Sequence, residues 1–136
     1  MKEVFVFLCL VSCIWGMRLP PSEIKELNKV HHECLIKTKC DRKYVAHRYE
    51  YLGYEPLREY LLCLATRYGL MYPSGDFNYE TLEYKFLIIC EKGEDPEYFI
   101  KRCARPSSIS DARQIAVDFW TCLEQINFHY LSFINI

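Results

Sequence analysis

Six cysteines between Met17 and Ile136 constrain this chain most: Cys34, Cys40, Cys63, Cys90, Cys103 and Cys122. Each falls on a face or at an end of a segment with helical patterning. Cross-links placed there predict an all-α fold, a compact bundle of about six short helices tied by two or three disulfides. Disulfides persist in oxidising compartments, and the first residues supply a route to one. Lys2, an apolar run from Val4 to Trp15 and then Gly16 read as a signal peptide over residues 1–16. That run is too short for a bilayer, which takes roughly 20 residues, so no membrane insertion is expected. Cys9 and Cys13 would leave with it. What remains, residues 17–136, is one domain's length, enough to bury a core that disulfides would reinforce. Six cysteines allow 15 pairings, and spacing alone leaves them open.

The helix reading follows punctuation. Ser22 is expected to cap a first helix carrying Ile24, Leu27, Val30, Cys34 and Leu35 at helical spacing. A second segment runs from Asp41 to about Tyr51. The third opens at Glu55-Pro56, with Leu57, Leu61, Leu64 and Tyr68 on one face and Gly69 as its stop. Tyr72 to Asp76 is turn chemistry. Asn78 caps a fourth helix from Tyr79 to about Lys92, and Asp95-Pro96-Glu97 opens a short fifth ending near Ala104. Ser110 or Asp111 caps the sixth, on which Ile115, Phe119, Cys122, Leu123 and Ile126 repeat. The tail from Asn127 to Ile136 is nearly all apolar. A terminus like that either extends the last helix onto the core or folds back over it, since exposure would leave an apolar patch.

Charge and motif content exclude several functions. Without Lys2 and Glu3 the chain has 16 basic and 17 acidic residues, and no basic stripe for nucleic acid. There is no Gly-x-Ser-x-Gly, no His-Glu-x-x-His and no phosphate-cradling glycine loop, so no catalytic residue is assigned and the chain is read as no enzyme. His31 and His32 diverge by about 100° on a helix. They make no chelate of the i, i+4 kind and are expected to be exposed; no metal and no cofactor is assigned.

Cys63-Leu-Ala-Thr-Arg-Tyr-Gly-Leu-Met71, followed by Gly75-Asp-Phe-Asn78, resembles the insect odorant-binding protein superfamily. Cys34 in its Glu-Cys-Leu context, Cys103 after Ile-Lys-Arg, and Cys122 on the sixth helix resemble further cysteines of that family. Two family positions differ: Glu59 and Arg113 stand where a bonded cysteine pair is usual, as in the cysteine-reduced branch. The short salivary D7 branch is a close second, through His47-Arg-Tyr-Glu50 and the additional Cys40. The resemblance implies pairing Cys34 with Cys63 and Cys103 with Cys122. Cys40 and Cys90 are left over, either bonded to each other or as two buried thiols.

The resemblance also implies an apolar cavity and a secreted, extracellular carrier for a small hydrophobic ligand. Two alternatives are a salivary scavenger of biogenic amines or lipid mediators, and a pocketless interaction protein. A chemosensory receptor and a second copy of the chain are the macromolecular partners such a carrier admits. Residues 17–136 hold eleven tyrosines, six phenylalanines and Trp120, side chains of the kind that line small-molecule sites. The lining that the resemblance implies is Leu64, Tyr68, Met71, Phe86, Ile89, Val117, Phe119, Trp120, Phe128 and Phe133, any one of which, taken singly, reads first as ordinary core. Arg48 beside Tyr49 is a candidate carboxylate holder at a mouth. His129 in the apolar tail is a candidate switch that would let the tail leave or enter the cavity as pH falls toward 6.

Overall fold

The computed structural model describes residues 19–89, 95–126 and 128–135. Its regular elements among these residues are helices joined by turns and loops, with one isolated antiparallel bridge between Met71 and Phe77. The helices are α1 (Pro21–Thr38), α2 (Arg42–Ala46), α3 (Glu55–Arg67), α4 (Tyr79–Ile89), α5 (Pro96–Cys103) and α6 (Ala112–Gln125). Two 3-10 turns, Arg48–Glu50 and Tyr130–Phe133, complete the chain. No described helix is long and apolar enough to cross a membrane.

Local chemistry explains most boundaries. Asp41, Asp95 and Asp111 each accept the backbone N–H two residues on, at 3.0 Å, and so cap α2, α5 and α6. Asn78 Oδ1 receives the Thr81 N–H at the start of α4. Ser22 does not cap α1, because Pro20 and Pro21 start the helix first: Pro20 is the N-cap, and no side chain bonds there. Proline's fixed φ is already helical at N1. The second segment is also shorter than expected. Its α-helix stops at Ala46, with Val45 its one buried residue, and a 3-10 turn follows. The predicted extension of α4 to Lys92 and the whole of Cys90 lie outside the described residues.

α3 is the central helix. It buries Leu57, Tyr60, Leu61, Cys63, Leu64 and Ala65, and packs chiefly on α1 and α6. Two disulfides tie the layers. Cys34–Cys63 joins α1 to α3, and Cys103–Cys122 joins α5 to α6. Both are the implied pairs. Cys40 is buried and has no disulfide among the described residues.

The two departed cysteine positions meet as well. Arg113 Nη1 lies 3.3 Å from Glu59 Oε1 and 2.6 Å from Glu55 Oε2, so an ion pair links α3 to α6 there. The loop between α3 and α4 tucks against the same end of α6. Gly75 holds φ +97°, and a Cβ there would sit 2.9 Å from Ile115 Cδ1 and 3.2 Å from the Ala112 Cα. A side chain there would be strained by conformation and would crowd the start of α6.

Candidate ligand-binding core

The ten expected lining residues converge. Leu64 and Tyr68 come from α3 and its C-terminal cap, Met71 from the turn after it, Phe86 and Ile89 from α4, and Val117, Phe119 and Trp120 from α6. All eight are buried, as is Phe128, while Phe133 is partly covered at the rim. Trp120 turns its indole inward, where Nε1 donates to the Leu61 carbonyl at 3.1 Å. That bond satisfies a buried donor on the flank of α3.

The apolar interior these residues enclose is occupied by the chain's own tail. α6 ends at Gln125, the Phe128 N–H bonds back to the Leu123 carbonyl at 2.8 Å, and the tail folds inward. Phe128 stacks between Phe86 and Phe99, with centroids 4.8 and 4.4 Å away. Tyr130 is fully buried, with its ring 5.5 Å from that of Tyr68 and 6.1 Å from that of Trp120. Beside Trp120, a partly open hollow of about 10 Å³ lies among Arg48, Tyr49, Leu52 and Leu61, room for about one water. Clefts of about 660 and 450 Å³ open on the outside, over the Cys103–Cys122 bridge, and the smaller one reaches Phe119.

Polar tethers hold the tail at the edge of this core. Asn28 on α1 accepts the Asn135 N–H at 2.7 Å and donates to the Phe133 carbonyl at 3.1 Å. The Tyr130 hydroxyl donates to Tyr68 Oη at 2.8 Å, which in turn donates to Glu23 Oε2 at 2.5 Å. Lys85 Nζ closes the chain of contacts at 3.2 Å from Glu23 and 3.4 Å from Glu26, and lies 3.7 Å from the centre of the Tyr68 ring. Burial pushes both phenols well above the ordinary tyrosine range, so they remain donors. The network joins α1, α3, α4 and the tail.

Two polar expectations, at His31 and Arg48, are revised. His31 is fully buried, not exposed. Its Nδ1 shares a 2.6 Å hydrogen bond with Tyr60 Oη, its Nε2 has no partner among the described residues, and burial lowers its pKa to about 4. His32 is exposed as expected. Arg48 is neither a free ligand holder nor solvated. It pairs with Glu124 through both Nε and Nη2, and its Nη1 donates to the Val45 carbonyl at 3.1 Å. His129 is exposed between buried neighbours, so its ring lies outside the core that the tail fills.

Several residues of the core escaped the sequence reading. Tyr130 and Leu131 lie at its centre, and Phe99 and Phe77 at its edge. Phe99 had a legible signal, standing four residues before Cys103 on the inward face of α5. Nucleophile chemistry has little support here. The Cys40 thiol is pushed up to about 11 by burial and then by Asp41, which suppresses the reactive thiolate.

The comparisons agree with this architecture. The family model described as PBP/GOBP family matches residues 17–125. Searches of curated proteins and of solved structures returned no match. An all-helical bundle with two inter-helix disulfides and a match over most of its length places this chain in the PBP/GOBP family, the insect odorant-binding proteins.

Proposed function

We propose that this protein reversibly binds a small hydrophobic molecule, odorant- or pheromone-like, in its helical interior and carries it through extracellular fluid. The observation that carries the reading is the tail. Phe128, Tyr130 and Leu131 fill an apolar shell built by α3, α4, α5 and α6 as a ligand would. A segment held in the core by a few rim hydrogen bonds is exchangeable for a ligand of similar area. Burial of ligand surface at about 25 cal/mol per Å² drives uptake. Ordering costs and the release of the tail reduce it.

The ligand contacts on this reading are the lining set, with Phe86, Phe119 and Trp120 fixed on helices and Phe128 yielding. Residues 1–16 would direct export, consistent with the closed disulfides. The amine-scavenging alternative has less support, because Glu23, the carboxylate that accepts from the buried Tyr68 hydroxyl, is already neutralised by Lys85.

A fluorescent apolar probe titrated into the purified protein tests this. Saturable binding, reversed by a competing long-chain alcohol or ester, is expected, with tighter binding in Tyr130→Ala. Failure of well-folded protein to bind any such probe would favour the solid-core interaction protein instead.

A further inference from the structure

We propose that the end of the molecule formed by the C-terminus of α1 and by α2 is a docking surface for an anionic lipid membrane. Within seven residues it carries Lys37, Lys39, Arg42 and Lys43 against Asp41 alone, net +3 in a chain whose total is −1. The rest of the chain therefore sums to −4, so the protein has a cationic pole that turns toward a negative surface. All four cations are exposed, and none has a salt-bridge partner among the described residues. The nearby Glu33 is engaged by Arg67 at 3.1 Å.

Two further observations separate this pole from an ordinary solvated helix end. Ile36, beside the cations, is 80 % exposed, the most exposed large apolar side chain among the described residues. It borders a cleft of about 420 Å³ that it shares with His32, Leu35, Cys40, Asp41 and Arg42. Tyr49, Tyr51 and Tyr54 lie exposed on the segment that follows, the last two packed on Tyr44 at 4.9 and 4.3 Å. An exposed aliphatic side chain, tyrosines and lysines together are the composition of a membrane–water interface, whereas a purely polyanionic partner needs no Ile36. Moreover, Lys39 adopts φ +57°, the left-handed C-terminal position where glycine or asparagine is preferred. A lysine stands there against its conformational preference.

The contact would be peripheral and salt-sensitive. Each cation near an anionic surface strengthens partitioning about fivefold at physiological salt. Co-sedimentation with phosphatidylcholine vesicles, with and without phosphatidylserine, tests it. Wild type is expected to bind only the anionic vesicles and to be released by high salt. Lys37→Gln with Lys39→Gln should weaken binding about 25-fold, and Ile36→Asn should weaken it as well. Lys25→Gln with Lys29→Gln, the same charge change elsewhere on α1, should weaken it far less.

Every side chain substituted in these variants is exposed, and unchanged circular dichroism would confirm folding. Absence of binding to anionic vesicles overturns the proposal, as does equal loss in the Lys25/Lys29 control. Retention on a sulfated polysaccharide with no response to Ile36→Asn would replace the lipid with a soluble polyanion.

Discussion

Restoring a cross-link where Glu59 and Arg113 now pair is a demanding test of how this fold relates to its family. The double variant E59C/R113C exchanges the ion pairs of Arg113 with Glu55, Glu59 and Asp111 for a disulfide between α3 and α6. The two residues are 54 apart in sequence. In the chain-entropy account, closing a loop of that length stabilises by about 4 kcal/mol. The ion pairs it removes join side chains that are between 38 % and 59 % exposed, and such pairs contribute about 0–1 kcal/mol each. The net gain is about 2–3 kcal/mol, or roughly 8–10 °C in Tm for a domain of this size. Peptide mapping under non-reducing conditions would show whether the bridge forms, and thermal unfolding with and without reductant would measure its effect. Finding both introduced thiols free while Cys34–Cys63 and Cys103–Cys122 close would refute the reasoning, because the two positions would then lie beyond bridging reach. A bridge that forms and lowers Tm would refute it equally.

Three further outcomes follow from the buried polar groups. His31 is protonated near pH 6.5 when unfolded but only near pH 4 when folded, so its stabilising share is full above pH 6.5 and falls as the medium acidifies. From about pH 7 to about pH 5 the wild type should lose about 2 kcal/mol more than His31→Gln in denaturant titrations, and equal losses would contradict this. Lys85→Met leaves Glu23 largely buried without its cation and should cost about 2–3 kcal/mol by the same assay; a neutral result would mean that the network is dispensable. Asn28→Ala removes both backbone tethers of the tail, at a cost of about 1–2 kcal/mol, and should speed hydrogen exchange at residues 128–135 while leaving α3 unchanged.

What the sequence disclosed was local. Asp41, Asp95, Asp111 and Asn78 cap helices through bonds to residues two or three positions away, and such bonds need nothing from the rest of the fold. The inward faces of α3 and α6 were legible for the same reason. His31 was misjudged because its polarity outweighed its position: Leu27, Val30, His31 and Cys34 form an i, i+3, i+4, i+7 stripe, the signature of a buried face. The stripe identified the face, but not the Tyr60 hydroxyl that makes burial tolerable.

The destination of the tail was beyond reach. Its anchors, Asn28 to Asn135 and Tyr68 to Tyr130, span 107 and 62 residues. Apolar composition said that the segment must be covered, yet not which helices cover it. The ten expected lining positions all belong to the core or pack on it, while Tyr130, which packs against Tyr68, Phe86, Phe128 and Trp120 among them, went unrecognised. The ion pair at Glu59 and Arg113 was likewise invisible until α3 and α6 were side by side.

The central claim is that a hydrophobic ligand takes the interior now filled by the tail. Hydrogen exchange on the intact protein, with and without a saturating apolar probe, tests it most directly. Probe binding is predicted to abolish protection of the Phe128, Tyr130 and Ile134 amides while α3 and α6 become better protected. Saturable binding with tail protection unchanged would contradict the account and place the ligand site elsewhere.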